Sequence, residues 1–236
     1  VSIGINLNPN NACNWRCIYC QVPGLTRGAP PPVDLGKLRG ELRGFLADVL
    51  HGDFLVKRVP PDMRLLNDMA LSGNGEPTSA REFERVVDLI GETRHDAGVP
   101  DTVKTVLITN GSLMQRGYVQ AGVRKLAELN GEVWFKVDRA TDAGMRKVNN
   151  TRTGMDRVHA NLAVAARLCP NLADYCTHRQ ALAAECDTDG RLRFLDCLRR
   201  DIESVPLRRS ATEWSEYYGA DLGSLDSNPS WRLKQQ

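Results

Sequence analysis

The chain lacks any apolar run that approaches the ~20 residues needed to cross a bilayer. It also lacks a charged start followed by an apolar stretch, so nothing marks a secretory signal. Both absences point to a cytosolic protein without a membrane partner. A large charge of either sign is missing too. The formal net charge is +2, too small to argue for a polyanionic partner, and Lys and Arg are spread along the sequence. The nearest approach to a basic patch is Arg191, Arg193, Arg199, Arg200, Arg208 and Arg209. It reads first as a solvated helix face and only second as a nucleic-acid contact. His51, His95, His159 and His178 show no metal-ligand spacing and read as surface residues. Lys and Ser or Thr do not stand at the required offset behind the Gly-rich turn at 73–77, which excludes a phosphate-binding loop. The chain begins at Val1 without a Met and already in an apolar segment, so some native sequence is expected to precede it.

Even pairing of cysteines is missing as well. There are seven, and Cys13, Cys17 and Cys20 sit within eight residues, which reads as metal ligation in a reducing compartment rather than a disulfide framework. Soft thiolates select iron-sulfur clusters, zinc or copper(I) over hard cations. A closed zinc site wants four ligands in a tetrahedron, and no fourth Cys or His lies near this loop in sequence. Three thiolates on a cubane cluster leave one iron without a protein ligand. On the residues alone, two further readings stay open: three buried structural cysteines, or a zinc site that recruits Cys169, Cys176, Cys186 or Cys197.

The composition itself is that of a globular protein with a sizeable core, and 236 residues suit one large α/β unit. Apolar and small or polar residues alternate from Ile3 to Asn8 as in a strand. The segment from Gly24 to Pro32 breaks the chain, and Asp34 offers an N-cap for a helix whose stripe is Leu35, Leu38, Leu42, Phe45 and Val49. A short strand at Met69–Ser72 ends in the turn Gly73-Asn74-Gly75-Glu76-Pro77-Thr78. Ser79 and Glu82 read as a capping box before a helix with Phe83, Val86, Val87 and Ile90. Thr102–Thr109 reads as the third strand, closed by Asn110-Gly111 and followed by a helix through Val123, Leu126 and Leu129. Glu132–Asp138 is the fourth strand and Met155–Leu168 the fourth helix. Alternation of this kind implies a parallel sheet with right-handed crossovers. The pattern then fails: Leu172–Cys176 should carry a fifth strand but lacks a β-branched run. Leu195, Leu198, Ile202 and Val205 suggest a helix, and the chain after Pro206 is polar with scattered aromatics.

The spacing of Cys13, Cys17 and Cys20 after the first strand resembles the CxxxCxxC loop of the radical S-adenosylmethionine (SAM) superfamily. Gly73-Asn74-Gly75-Glu76-Pro77 resembles that family's GGEP segment, and Thr109-Asn110-Gly111 resembles the TNG found at the end of its third strand. The resemblance implies a 4Fe-4S cluster held by Cys13, Cys17 and Cys20, with SAM chelating the open iron through its amino and carboxylate groups. Reductive cleavage of SAM would give a 5'-deoxyadenosyl radical that abstracts hydrogen from an unidentified small-molecule or macromolecular substrate, the electron coming from a donor such as flavodoxin or ferredoxin. The resemblance further implies that Tyr19 lies against adenine, that Gly73, Asn74, Gly75, Glu76 and Pro77 meet the SAM amino group, and that Asn110 belongs to the same site. In the fourth strand Lys136 and Asp138 fall on the polar face that would line the SAM and substrate space, although a helix-capping Asp138 and a solvated Lys136 read equally well. Arg146-Lys147-Val148-Asn149 resembles a basic segment after the fourth strand of relatives.

Within the superfamily, the wording GNGEPT and its flanks are most similar to the wybutosine-synthesis-like and molybdenum-cofactor-synthesis-like branches. The fold implied is α/β: a partial (βα) radical-SAM-type barrel with parallel strands over residues 1–169, in four βα units, followed by a divergent segment at 170–236. That segment is expected not to complete the barrel in the regular way. Two other readings are a non-catalytic iron-sulfur or zinc-binding module and a tRNA-interacting remnant that uses the late arginines.

Overall fold

The computed structural model describes residues 1–139 and 141–175. Five strands form one wholly parallel sheet: β1 (Ser2–Ile5), β4 (Asp68–Leu71), β5 (Lys104–Thr109), β6 (Gly131–Lys136) and β7 (Leu172–Tyr175), in the order β1-β4-β5-β6-β7. A two-residue parallel pair, β2 (Ala12–Cys13) with β3 (Thr26–Arg27), brackets the cysteine loop. The helices are α1 (Leu35–His51), α2 (Phe54–Arg58), α3 (Phe83–Asp96), α4 (Gly117–Glu128), α5 (Asp142–Asn149) and α6 (Met155–Leu168).

Strand register explains which side of the sheet is apolar. Ile3 stands opposite Met69, Met69 opposite Thr105, Leu71 opposite Leu107, and Leu107 opposite Val133. These residues therefore share one face. Ile3, Met69, Leu71, Leu107 and Val133 are buried in the same core as Phe83, Val86 and Ile90 of α3 and Val119, Val123 and Leu126 of α4. Fully burying one such side chain contributes about 1.5–3 kcal/mol. On β6 the apolar set Val133 and Phe135 packs in that core, which leaves Glu132, Trp134 and Lys136 on the opposite face, as the alternation predicts.

Several local expectations change. The first strand ends at Ile5 rather than Asn8, because the Asn6 Oδ1 accepts from the Asn8 backbone N–H at 3.0 Å and turns the chain out of the ladder. Asp34 does cap α1, accepting from the Lys37 N–H at 2.9 Å. Phe45 of the predicted stripe lies at its edge, 36% exposed, and meets Phe54 edge-on with ring centroids 5.0 Å apart. The Ser79–Glu82 capping box does not form. Ser79 closes a single 3₁₀ turn (Pro77–Ser79) and donates to the Glu76 carbonyl at 2.5 Å, while Glu82 reaches the Val33 N–H at 3.4 Å. Helix α5, over the basic segment Arg146-Lys147, is a full element capped by Thr141 accepting from the Gly144 N–H at 3.0 Å.

The fifth strand is formed despite its weak propensity. β7 pairs in parallel with β6, Leu172 opposite Val133, and Leu172 is buried in the core. Pairing with a central strand and burial of one leucine outweigh the missing β-branched run. The sheet thus continues past residue 169, and the expectation that Leu172–Cys176 makes a poor fifth strand is corrected for Leu172–Tyr175. The helix expected through 195–205, the irregular tail, the late arginines, His178, Cys176, Cys186 and Cys197 lie outside the described residues.

Candidate cofactor site

Because every strand of the sheet runs the same way, the loops that leave their C-terminal ends gather at one edge, where ligands bind in open α/β sheets. The cysteine loop leaves β1, the Gly73–Pro77 turn leaves β4, Asn110-Gly111 leaves β5, and Asp138 follows β6.

The cysteine loop is anchored before any ligand is considered. Trp15, in the middle of it, is buried in the hydrophobic core. The Gly28 N–H donates to the Cys13 carbonyl at 3.1 Å, and the Cys20 N–H to the Cys17 carbonyl at 3.1 Å. On its far side the loop rests on the end of α5, with the Ile18 N–H donating to the Val148 carbonyl at 2.9 Å and the Arg16 N–H to the Asn149 carbonyl at 3.3 Å. Cys13 and Cys17 are half-buried and Cys20 is exposed.

The turn after β4 is locked to both neighbours. Glu76 is buried, and its Oε1 accepts from the hydroxyls of Thr78 and Thr109, each at 2.6 Å, while Oε2 accepts from the Asn110 N–H at 2.7 Å. Both carboxylate oxygens are therefore engaged inside the protein, and the side chain joins the turn to the end of β5. Gly75 permits this approach: a Cβ there would stand 2.2 Å from the Ala12 carbonyl oxygen, against the residue that precedes Cys13. Asn74 holds the turn from the other side, its Nδ2 donating to Asn11 Oδ1 at 2.7 Å. Gly111 has a φ of +66°, and a Cβ there would meet the Phe135 ring at 2.0 Å, so the bend after Asn110 requires glycine.

Asn14 and Ser112, which no motif marks, complete the joint. Asn110 Nδ2 donates to Asn14 Oδ1 at 2.9 Å, and Asn14 Nδ2 donates to Ser112 Oγ at 2.7 Å. Asn14, inside the cysteine loop, thereby ties that loop to the turn after β5. On the β6 side, the Tyr19 hydroxyl donates to Asp138, which is fully buried, and Asp138 pairs with Lys136 at 3.0 Å. Lys136 Nζ lies 4.1 Å from the Tyr19 ring centroid, within cation–π range. Asn149 also donates to Asp138 and stands 3.3 Å from Cys17 Sγ. The bland readings of Asp138 and Lys136 do not hold, since neither caps a helix and the lysine is mostly enclosed.

Electrostatics follow from this burial. Desolvation pushes the Cys13 thiol up to about 11, and Glu76, Cys17 and Cys20 each add to the push, so the three sulfurs share one neighbourhood. Burial raises Cys17 too, with Lys136 and the Asn149 amide pulling it back. Such thiols ionise when a cation takes them, and metal binding releases the protons. Among the described residues no three Cys, His, Asp or Glu side chains are gathered to hold a single metal ion. Three soft thiolates in one loop, each able to take a different iron, are the donors that a cubane cluster with one open iron uses. The donor set fits an iron-sulfur cluster. Cys169, a candidate fourth zinc ligand, is buried at the opposite end of the sheet, 3.5 Å from the Gly131 carbonyl, and does not join the loop.

Among solved structures, the chain is similar to a cysteine-to-alanine mutant of spore photoproduct lyase, with a TM-score of 0.53 and 12% identity over 83% of this chain and 51% of that one. It is also similar, more loosely, to anSMEcpe with bound AdoMet, with a TM-score of 0.48 and 16% identity over 86% of this chain and 48% of that one. The chain spans about half the length of the solved structures it matches. The likeness to the lyase shows the fold, a mixed α/β partial barrel around a parallel sheet. The sequence matches no protein-family profile and no curated protein.

Proposed function

We propose that the chain is a radical SAM protein, which binds a 4Fe-4S cluster through Cys13, Cys17 and Cys20 and SAM beside it. The observation that supports this most is the joint between the three motifs: Glu76 bonded to Thr109 and Asn110, and Asn110 bonded to Asn14 of the cysteine loop. Segments that stand tens of residues apart in sequence are held in one rigid rim, as a shared cofactor would require.

In this reading the cysteine thiolates hold three irons, and the turn from Gly73 to Pro77 lies against the bound SAM. Glu76 braces that turn from within through Thr78 and Asn110. Tyr19 is fixed by Asp138 and Lys136 at the wall where adenine would stack, and Asn110 closes the space on the β5 side. Lys136 is paired with Asp138 at 3.0 Å, so it shapes this wall without adding a net charge to it. The bound cluster would supply the single electron that splits SAM and so gives the 5'-deoxyadenosyl radical that takes hydrogen from the substrate. A flavodoxin-like or ferredoxin-like donor in the cytosol would provide that electron.

Anaerobic reconstitution followed by reduction in the presence of SAM tests the reading. The expected result is about four irons per chain and formation of 5'-deoxyadenosine. A chain that takes zinc at full occupancy under iron-replete anaerobic conditions overturns it. A chain that holds the cluster but leaves SAM intact is a non-catalytic iron-sulfur module instead.

A further inference from the structure

Asn149 closes α5 where its side-chain amide nitrogen meets the sulfur of Cys17 in the loop. Asparagine is a poor helix residue, because its side chain competes for backbone hydrogen bonds. This one is fully buried, where an amide is unfavourable unless its groups are paired. Its Nδ2 lies 3.3 Å from Cys17 Sγ and 3.3 Å from the Tyr19 hydroxyl, and it donates to the Asp138 carboxylate. The orientation of the amide is set by Asp138: reversed, its oxygen would face a carboxylate oxygen. The carbonyl end, Oδ1, is buried with no hydrogen-bond partner among the described residues. A group kept at that disadvantage owes its place to its donor end.

The donor end is in turn held from behind. Asp138 is gripped by Lys136 and by the Tyr19 hydroxyl, so the amide cannot rotate away without breaking a buried network. The backbone works in the same sense, since the Arg16 and Ile18 N–H groups, on either side of Cys17, bond to the Asn149 and Val148 carbonyls. The last turn of α5 therefore fixes Cys17 through its main chain and touches its sulfur through one side chain.

We propose that Asn149 is a positioning residue for the iron-sulfur cluster, whose amide N–H donates to the Cys17 sulfur, holds that ligand in place and raises the reduction potential of the cluster. The inference rests on the radical SAM reading of the loop. Its physical basis is charge: one-electron reduction makes the thiolate sulfurs more negative, and a fixed N–H donor stabilises the reduced state more than the oxidised one. Lys136 offsets the opposing field of Asp138, so the amide acts against a nearly neutral background.

The test compares anaerobically reconstituted wild type with Asn149→Ala and Asn149→Asp, reading iron per chain and then the midpoint potential by spectroscopic titration with dithionite, one electron per cluster. Both variants are expected to keep wild-type iron content and to be harder to reduce. For Asn149→Ala the equilibrium constant should fall about tenfold, ~59 mV for a one-electron couple. Asn149→Asp sets a carboxyl against the Asp138 carboxylate, where the pair shares a proton; it too lacks the amide donor and should fall as well. If one variant fails to fold, the other carries the measurement. Loaded variants with wild-type potentials overturn the inference while leaving the cluster reading intact. Failure of both variants to take up iron also overturns it, because Asn149 would then serve the fold and not the sulfur. A wild-type chain that never assembles the cluster removes the radical SAM reading and the inference together.

Discussion

At the scale of single residues, the cysteines divide by position. If Cys17 holds an iron as proposed, Cys17→Ala removes a ligand that the loop cannot replace, and iron content after reconstitution should drop to background. Cys169→Ala, at the other end of the sheet, should leave iron content unchanged; iron lost in both variants would tie the cluster to a different ligand set. Glu76 has a separate signature. Burial holds its carboxyl above the ordinary value of 4.5, so in the window between that value and the raised one the folded state binds more protons than the unfolded state. Stability then declines as pH rises through that window. Glu76→Gln cannot titrate, and urea melts from about pH 4 to 8 should show wild type losing ground to the variant as pH climbs; a constant difference would remove the titration from the stability. The cysteines and Glu76 were legible because their residue types and spacing are distinctive. Asn14 and Trp15 were not, and Asn149 stood out only as the end of the basic segment Arg146-Lys147-Val148-Asn149. Asn14 and Trp15 stand between the cysteines, where the spacing demands no residue type, and only the folded chain shows that one bridges to Asn110 and the other enters the core.

At the scale of elements, β7 is the most exacting case. It is a strand by partnership rather than by composition, held by β6 on one side and by Leu172 in the core. Leu172→Ala should destabilise the protein by about 2–5 kcal/mol, measured by urea unfolding. A change under about 1 kcal/mol would mean that Leu172 is not packed as described. The long amphipathic helices α1, α3, α4 and α6 could be placed from their apolar stripes. Helix α5 could not, because eight residues show barely two turns of pattern, with Met145, Val148 and Asn149 buried among charged neighbours. The capping box misled for a similar reason: Pro77 starts a 3₁₀ turn, and Glu76 takes the capping role, accepting from the Thr78 N–H at 3.2 Å.

At the scale of the whole molecule, a parallel sheet has a chemical polarity that the order of motifs already announces, since each motif follows a strand and each strand ends on the same side. Which loop touches which was beyond the sequence, because those contacts pass through single polar side chains, Glu76, Asn14 and Asn110, that carry no periodic signal. The polarity also decides how the protein ages. Cys169 is sealed in the core, whereas Cys20 stands exposed at the rim beside Ile18, which is 71% exposed. Oxidants meet accessible thiols first and carry them stepwise to sulfenic, sulfinic and sulfonic acids. In a chain handled in air without its iron, peptide mapping by mass spectrometry should find oxygen adducts or a disulfide at Cys20 before any change at Cys169, and the reverse order would contradict the exposures. Spoilage would start at the rim and precede any loss of fold, so an aerobic sample could melt like fresh protein and yet no longer accept iron.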